Sequence, residues 1–225
     1  MSEGFRIRKN WQRIEASLVE AFGPIPVANV SDSMARMDAG GSDLRPMHRD
    51  GKLAGPALTV RMRPGDNLML HKAIDMAQPG DVIVCDAGGD VTNSLFGELM
   101  LTHAIVRGVA GLVINGAVRD RDAFLERNLP VYAVGVTHRG PYKDGPGEIG
   151  FAISLAGMVI QPGDLVLGDM DGVLAVPRAS AAQVLERARA KSEAEERQMA
   201  ATLRGETDRS WVDKTLREKG CEFVD

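Results

Sequence analysis

Between Lys52 and Val136 the hydrophobic period of the chain switches back and forth, and this alternation constrains the fold more than any single motif. Lys52 to Met62 is rich in Leu, Val, Thr and Ala and reads as a strand. A Pro64-Gly65-Asp66-Asn67 turn follows, then a short helix over Leu68 to Ala77. Pro79-Gly80-Asp81 delivers the chain into Val82-Ile83-Val84-Cys85-Asp86, the kind of apolar run a fully buried strand requires. Glu98 to Arg107 reads as helix, Gly111 to Asn115 as strand, Arg121 to Arg127 as helix and Val131 to Val136 as strand. Such alternation is the signature of an α/β domain.

The flanks read differently. Trp11 to Phe22 has helical spacing with a glycine stop at Gly23-Pro24. Val27 to Asp32 leads into a second helix, with Ser31 or Asp32 as its N-cap and Gly40-Gly41 as its end. From Gly140 onward, Gly and Pro punctuate short strands over Ile149 to Leu155, Met158 to Ile160, Asp164 to Gly168 and Gly172 to Val176. This half is expected to lay a second sheet on the first. Ala179 to Arg204 is a long polar helix, and Trp211 to Lys219 a short last one. Gln78 to Asp86 and Gln161 to Asp169 look alike: each is a Pro-Gly-Asp turn feeding an apolar strand that ends in Asp. Their flanks differ, so convergent turn chemistry explains them better than duplication. No low-complexity linker interrupts the chain, and residues 1–225 are expected to form one domain.

Hydrophobic residues make up 44% of the chain, enough for a real core. The net charge is −4 with no dominant basic patch, which argues against nucleic acid as the main partner. Cys85 lies in an apolar run and Cys221 in a polar tail, a pattern of free thiols in a reducing compartment. No apolar signal core opens the sequence and no run is long enough to span a bilayer. A soluble, cytoplasmic protein with no membrane partner is the expectation.

The chemistry concentrates between Gly97 and Asp120. Gly97-Glu98 should open a helix, whose start offers free N–H groups to an anion. Arg119-Asp120 should close a buried strand, at the sheet edge where α/β proteins bind ligands. An arginine fork suits a carboxylate, and an aspartate suits a hard divalent cation. Arg119-Asp120 could equally be a helix cap with a surface ion pair; its place beyond Leu112-Val113-Ile114 favours a site. Glu98 reads either as a first-turn acid on the helix dipole or as a second carboxylate near a metal. Leu99 and Met100 would contribute backbone N–H groups. The site as a whole suits a small metal-chelating oxo-acid. Gly88-Gly89-Asp90 lacks the Walker lysine and fits no dinucleotide fingerprint, so it reads as flexible backbone near the cleft. His48, His71, His103 and His138 have no mutual metal spacing; His71 could line the cleft, though structural use is the simpler reading. There is no Cys-x-x-Cys and no nucleophile elbow.

These residues carry a resemblance. Val30-Ser31-Asp32, Gly55-Pro56-Ala57-Leu58-Thr59-Val60, Pro64-Gly65-Asp66-Asn67, Gly80-Asp81-Val82-Ile83-Val84, Gly97-Glu98-Leu99, Gly116-Ala117-Val118-Arg119-Asp120, Gly140-Pro141, Pro162-Gly163-Asp164 and Asp169-Met170-Asp171-Gly172-Val173 follow one another in an order and spacing similar to the RraA-like family. That family includes the class II 4-hydroxy-4-methyl-2-oxoglutarate / 4-carboxy-4-hydroxy-2-oxoadipate aldolases. The resemblance covers nearly the whole chain. It implies a β/β/α sandwich like the swivelling phosphohistidine domain, assembled as a homotrimer or homohexamer with sites at subunit interfaces. It implies Asp120 as the protein ligand of Mg²⁺ or Mn²⁺ and Arg119 as the carboxylate binder. Gly97, Glu98, Leu99 and Met100 would hold pyruvate through backbone amides, with the Glu98 side chain orienting metal-bound water. A glutamate from a neighbouring chain's C-terminal helix would complete the site, with Glu195 the best match and Glu196 next. The implied activity is cleavage of a 4-hydroxy-2-oxo di- or tricarboxylic acid to pyruvate and a second oxo acid, as in aromatic degradation, with oxaloacetate decarboxylation as a side activity. One family branch lacks the aspartate and inhibits a ribonuclease; retention of Asp120 favours the enzyme. A ribonuclease regulator and a dedicated 2-oxo acid decarboxylase are the alternatives.

Overall fold

A computed structural model describes residues 3–224. In chain order the elements are β1 (Phe5–Ile7), α1 (Ala16–Phe22), α2 (Val27–Ser33), β2 (Arg45–Pro46), β3 (Leu53–Met62), α3 (Leu68–Met76), β4 (Val82–Asp86), β5 (Ser94–Phe96), α4 (Glu98–Val106), β6 (Gly111–Val118), α5 (Arg121–Arg127) and β7 (Val131–Val136). The β-rich part follows: β8 (Gly147–Ile149), β9 (Ile153–Leu155), β10 (Met158–Ile160), β11 (Leu165–Asp169) and β12 (Gly172–Val176). A 3₁₀ turn over Arg178–Ser180 then leads into α6 (Ala181–Leu203) and α7 (Ser210–Glu218).

Strands β3, β4, β6 and β7 are parallel neighbours at the centre of the large sheet. Their side chains divide between two cores by the period of two that a strand imposes. Val82, Val84, Val113 and Tyr132 face one core, where they meet β9 to β12 and helix α6. Ile83, Cys85, Leu112, Ile114, Val131 and Ala133 face the other, where they meet helices α3, α4 and α5. Both faces are covered, which is why these strands read as continuous apolar runs. The β-rich half does lie over one face, but as an extension of the same sheet: β11 pairs antiparallel with the first half of β3, whose second half pairs with β4. Among the described residues, only the β9–β10 hairpin is separate. The expected layering of strands, strands and helices, closed by a long C-terminal helix, is the architecture observed.

The two Pro-Gly-Asp segments build the same turn. Gly80 and Gly163 both have φ +87°, the left-handed position that follows Pro in a type II turn. Asp81 Oδ2 accepts the Gln78 N–H at 2.9 Å, and Asp164 Oδ2 accepts the Gln161 N–H at 2.8 Å. Both strands enter beside β3, one parallel and one antiparallel.

Five local expectations are corrected. The first helix begins at Ala16, not Trp11, because the preceding segment is drawn out against its neighbours: Arg13 forks onto Asp81 at 2.7 and 2.9 Å, and the Ile14 N–H donates to the Gly163 carbonyl. Gly23 keeps helical angles (φ −49°) and is no left-handed stop. The second helix starts at Val27, whose N–H is accepted by Asp169 Oδ2 at 2.9 Å; Ser31 and Asp32 therefore lie inside it, and it ends at Met34, before Gly40. The run Ile149 to Leu155 is broken at Gly150 (φ +80°), and β6 continues past Asn115 to Val118.

Candidate functional site

Two strand-to-helix junctions meet at one edge of the sheet. Strand β5 runs parallel to the end of β6, pairing Ser94 with Ala117 and Phe96 with Val118. The first junction passes through Gly97 into α4 and the second through Arg119-Asp120 into α5. The Arg119 N–H donates to the Phe96 carbonyl at 3.0 Å and fastens them together. Asp120 sits in the left-handed region (φ +60°, ψ +43°), a conformation Asp tolerates better than most residues.

That conformation turns the Asp120 side chain onto α4. Its Oδ2 accepts the Glu98 N–H at 2.9 Å, and Arg119 Nε lies 3.7 Å from the same oxygen. Both side chains remain nearly half-exposed, at 44% for Arg119 and 43% for Asp120. Among the described residues, no protein acceptor takes the N–H of Leu99 or Met100, so the first turn of α4 keeps donors for an anion.

These groups line a cleft of about 130 Å³. Of the candidate residues, Gly97, Leu99, Met100, Arg119 and Asp120 are among its lining. Glu98 joins them through its backbone; its carboxylate is exposed and does not line the cleft. Glu195 is elsewhere in this chain, accepting from Asn29 Nδ2 at 2.7 Å and paired with Lys191 Nζ at 2.9 Å. Those two partners hold its carboxyl below the usual range. Gly88-Gly89-Asp90 and His138 lie outside the cleft lining. The glycine pair is instead a pinned turn, with the Gly88 N–H on Asp86 Oδ1 and the Gly89 N–H on the Asn115 carbonyl.

Asn67, His71 and Lys143 complete the lining and are less legible in sequence. Buried Asp66 is what assembles it. Its Oδ1 accepts the Leu68 N–H at the start of α3, and its Oδ2 accepts the N–H groups of Asp144 and Gly145. Asn93 Nδ2 donates to the Gly140 carbonyl, pinning the same loop from the other side. Burial, and then the charge of Lys143, push the His71 imidazole below its ordinary pKa. Asn67 Nδ2 donates to the Leu95 carbonyl at 2.9 Å, while its Oδ1 is buried with no partner.

The donor set bears on what cation the site can hold. Among the described residues, no three His, Cys, Asp or Glu side chains cluster in a metal-binding arrangement. The cleft offers the single carboxylate of Asp120, half-exposed beside an arginine and free N–H groups. That set fits a hard cation such as Mg²⁺, which keeps several waters and takes further oxygens from its ligand.

The comparisons with known proteins bear on the same residues. Residues 27–175 match the family model described as RraA-like, Aldolase/RraA. A protein of Halalkalibacterium halodurans named "Putative 4-hydroxy-4-methyl-2-oxoglutarate aldolase" is 36% identical over 203 residues, covering 90% of this chain and 97% of that protein. An uncharacterized protein of Pseudomonas syringae superposes with a TM-score of 0.79 at 27% identity, over 88% of this chain and 97% of the other. Streptomyces coelicolor RraAS2, described as an unusual member of the RNase ES inhibitor RraA protein family, superposes with a TM-score of 0.76 at 25% identity, over 83% of this chain and 98% of its own.

Proposed function

Because the chain belongs to the RraA-like family, we propose that it is a divalent-metal-dependent class II aldolase. Its substrate on this reading is a 4-hydroxy-2-oxo di- or tricarboxylic acid, cleaved to pyruvate and a second oxo acid, with oxaloacetate decarboxylation as a side activity. The observation that carries the reading is the coupling of the two helix starts. Asp120 Oδ2 is fixed by the Glu98 N–H, so a carboxylate, a guanidinium and the free N–H groups of Leu99 and Met100 converge on one small cleft.

Each group has a task. The Arg119 fork and the α4 N–H groups bind and orient the C1 carboxylate of the substrate. Asp120 would hold Mg²⁺ or Mn²⁺, and the cation, when bound, supplies Lewis-acid stabilisation to the oxo group as negative charge develops there. A water at the mouth of the cleft, oriented by the Glu98 carboxylate, takes the proton of the C4 hydroxyl. The C3–C4 bond then breaks, the C4 oxygen becomes the carbonyl of the departing oxo acid, and the electron pair stays with the three-carbon half as pyruvate enolate. Protonation at C3 completes pyruvate. Glu195 of a neighbouring copy would assist at the mouth if the protein forms a homotrimer or homohexamer. The relative named as an aldolase, alike over most of both chains, supports the reaction class.

The test is pyruvate release from a panel of 2-oxo acids, with Mg²⁺, with Mn²⁺ and with EDTA. Metal-dependent release that is lost in Asp120→Ala and in Arg119→Ala is the expected result. Undiminished rates in EDTA or in Asp120→Ala would overturn the mechanism. Oxaloacetate turnover with no aldol cleavage would favour a dedicated decarboxylase. The likeness to RraAS2 favours one further reading, a protein regulator of a ribonuclease. Stoichiometric capture of a ribonuclease, with no turnover of any oxo acid, would establish that instead.

A further inference from the structure

Residues 139–145 bring Pro141 and Lys143 to the cleft, with no helix or named strand to hold them. Bonds from two other segments hold them instead. At one end, the Ser94 N–H donates to the Arg139 carbonyl at 2.8 Å, and Asn93 Nδ2 donates to the Gly140 carbonyl. In the middle, the Tyr142 N–H donates to the Gly65 carbonyl at 2.8 Å, and the Asn67 N–H to the Tyr142 carbonyl at 3.0 Å. At the other end, Asp66 Oδ2 accepts the N–H groups of Asp144 at 2.6 Å and Gly145 at 2.9 Å. The Oδ1 of the same carboxylate accepts the Leu68 N–H at 2.9 Å, where α3 begins, and α3 brings His71 to the cleft. Asn93 also meets the turn that carries Asp66, since a Cβ on Gly65 would stand 3.2 Å from its Oδ1.

Asp66 is 1% exposed, and Arg63 Nη2 lies 3.4 Å from its Oδ2. A buried carboxylate is costly unless its oxygens are matched. Here three main-chain N–H groups from two separate segments match them. The turn itself uses only the Leu68 bond; the second oxygen is spent on residues 78 and 79 positions away. Asp66 is not among the residues that line the cleft.

We propose that Asp66 is a positioning residue of the reaction, which holds the start of α3 and the 139–145 strap in one arrangement so that the groups both bring to the cleft meet the substrate together. This rests on the aldolase reading above and goes beyond it, because that reading draws only on Glu98, the start of α4 and the Arg119-Asp120 pair of this chain. Asp66→Asn isolates the role at nearly constant volume. An amide has one acceptor oxygen where the carboxylate has two. With that oxygen on Asp144 and Gly145, its NH2 meets the Leu68 N–H; turned over, its NH2 meets the two strap N–H groups. Either way one segment is released from the other.

The experiment measures 4-hydroxy-4-methyl-2-oxoglutarate cleavage, amide hydrogen exchange and urea stability in wild type, Asp66→Asn, Asn93→Ala and the double variant. Asp66→Asn should lower kcat/KM per folded protein by about 10- to 100-fold, as expected for displacements approaching an ångström. Exchange at Leu68, or at Tyr142, Asp144 and Gly145, should quicken by at least about tenfold, beyond any change in the most protected core amides. The losses in kcat/KM from the two single variants should combine to less than their product, because both act through one strap; a purely structural role would let them multiply. Faster exchange in Asp66→Asn with wild-type kcat/KM would overturn the positioning role and leave the aldolase reading standing. Unchanged exchange in the folded variant would overturn the clasp itself. If Asp66→Asn does not fold, Asn93→Ala carries the test alone, and wild-type kcat/KM in it despite faster exchange at the strap would sink the proposal. If wild-type protein cleaves no 4-hydroxy-2-oxo acid with Mg²⁺ or Mn²⁺, the aldolase reading fails and this inference fails with it.

Discussion

Gly97 lies so close to Asp120 that a Cβ at position 97 would stand 2.5 Å from the Asp120 Oδ2, with the Cγ of Arg119 at 3.0 Å. The backbone of Gly97 is extended (φ −148°, ψ −170°), so the position demands space rather than a left-handed conformation. Gly97→Ala must displace both side chains of the Arg-Asp pair. Pyruvate release should fall at least about 100-fold, as expected when reacting groups move by about an ångström. Stability should fall by about 1–3 kcal/mol, the usual range for overpacking. Steady-state kinetics and urea denaturation of the one variant check both figures, and wild-type kinetics in it would contradict the close approach.

Asp120 supplies both a functional carboxylate and a left-handed backbone, and two substitutions separate these. Asp120→Ala and Asp120→Gly both remove the acceptor of the Glu98 N–H, and both should abolish pyruvate release. They differ in backbone only. At φ +60° alanine is disfavoured and glycine is not. The glycine variant should therefore be about 1 kcal/mol more stable than the alanine variant in urea, though equally inactive. Equal stability of the two would mean that residue 120 is not left-handed in solution.

The parts of this molecule legible in the sequence are those fixed by local pattern. Val82 to Cys85 and Val131 to Ala133 are buried on both faces because helices cover one side and strands the other, and the bounds of the two strands, Val82–Asp86 and Val131–Val136, were readable to the residue. The Arg119-Asp120 pair could be placed at a strand end because a buried strand precedes it and a helix follows. What failed depended on contacts distant in sequence. The start of the second helix is set by Asp169, 142 residues from Val27, and no local signal competes with a Ser-Asp cap except Pro26. Lys143 reaches the cleft because Asp66, 78 residues before Asp144, pins its loop. A Pro-Gly-Asp-Asn turn reads as a turn, not as the clasp of a distant loop. The unpartnered oxygen of Asn67 has no counterpart in sequence at all.

Tyr132 is fully buried between the large sheet and the β-rich layer, and its hydroxyl has no hydrogen-bond partner. Burial pushes that phenol above its ordinary pKa, and the charge of Asp169 adds to the effect. An unpaired buried hydroxyl is a cost that folding must overcome. Tyr132→Phe keeps the ring and its edge contact with His48, whose centroid is 5.1 Å away, and removes only the unmatched oxygen. The variant should be as stable as wild type or more so, by up to about 1 kcal/mol, with activity unchanged. Gly168→Ala is the converse, since a Cβ there would lie 2.8 Å from the Tyr132 ring, and should lower the urea midpoint clearly. Loss of stability in Tyr132→Phe would reveal a partner for the hydroxyl, such as a buried water.

His71 gives the cleft a pH dependence whose sign follows from its surroundings. Burial, with the positive charge of Lys143 next, lowers its pKa in the folded protein, while in the unfolded chain it titrates near about 6.5. Between the depressed native value and that reference, the unfolded chain binds a proton that the native protein does not. Stability therefore rises with pH across this window, and is lost as the pH falls through it. His71→Gln removes the titration. Melting temperatures of the two proteins should run parallel above about pH 7 and diverge below about 6.5, with wild type losing more. Lys143→Met should shift the His71 titration upward in a proton NMR experiment, because the second cause of the depression is gone. A gap between wild type and His71→Gln that stays constant from pH 5 to 8, or that favours wild type at low pH, would place the imidazole in water and not in the wall of the cleft.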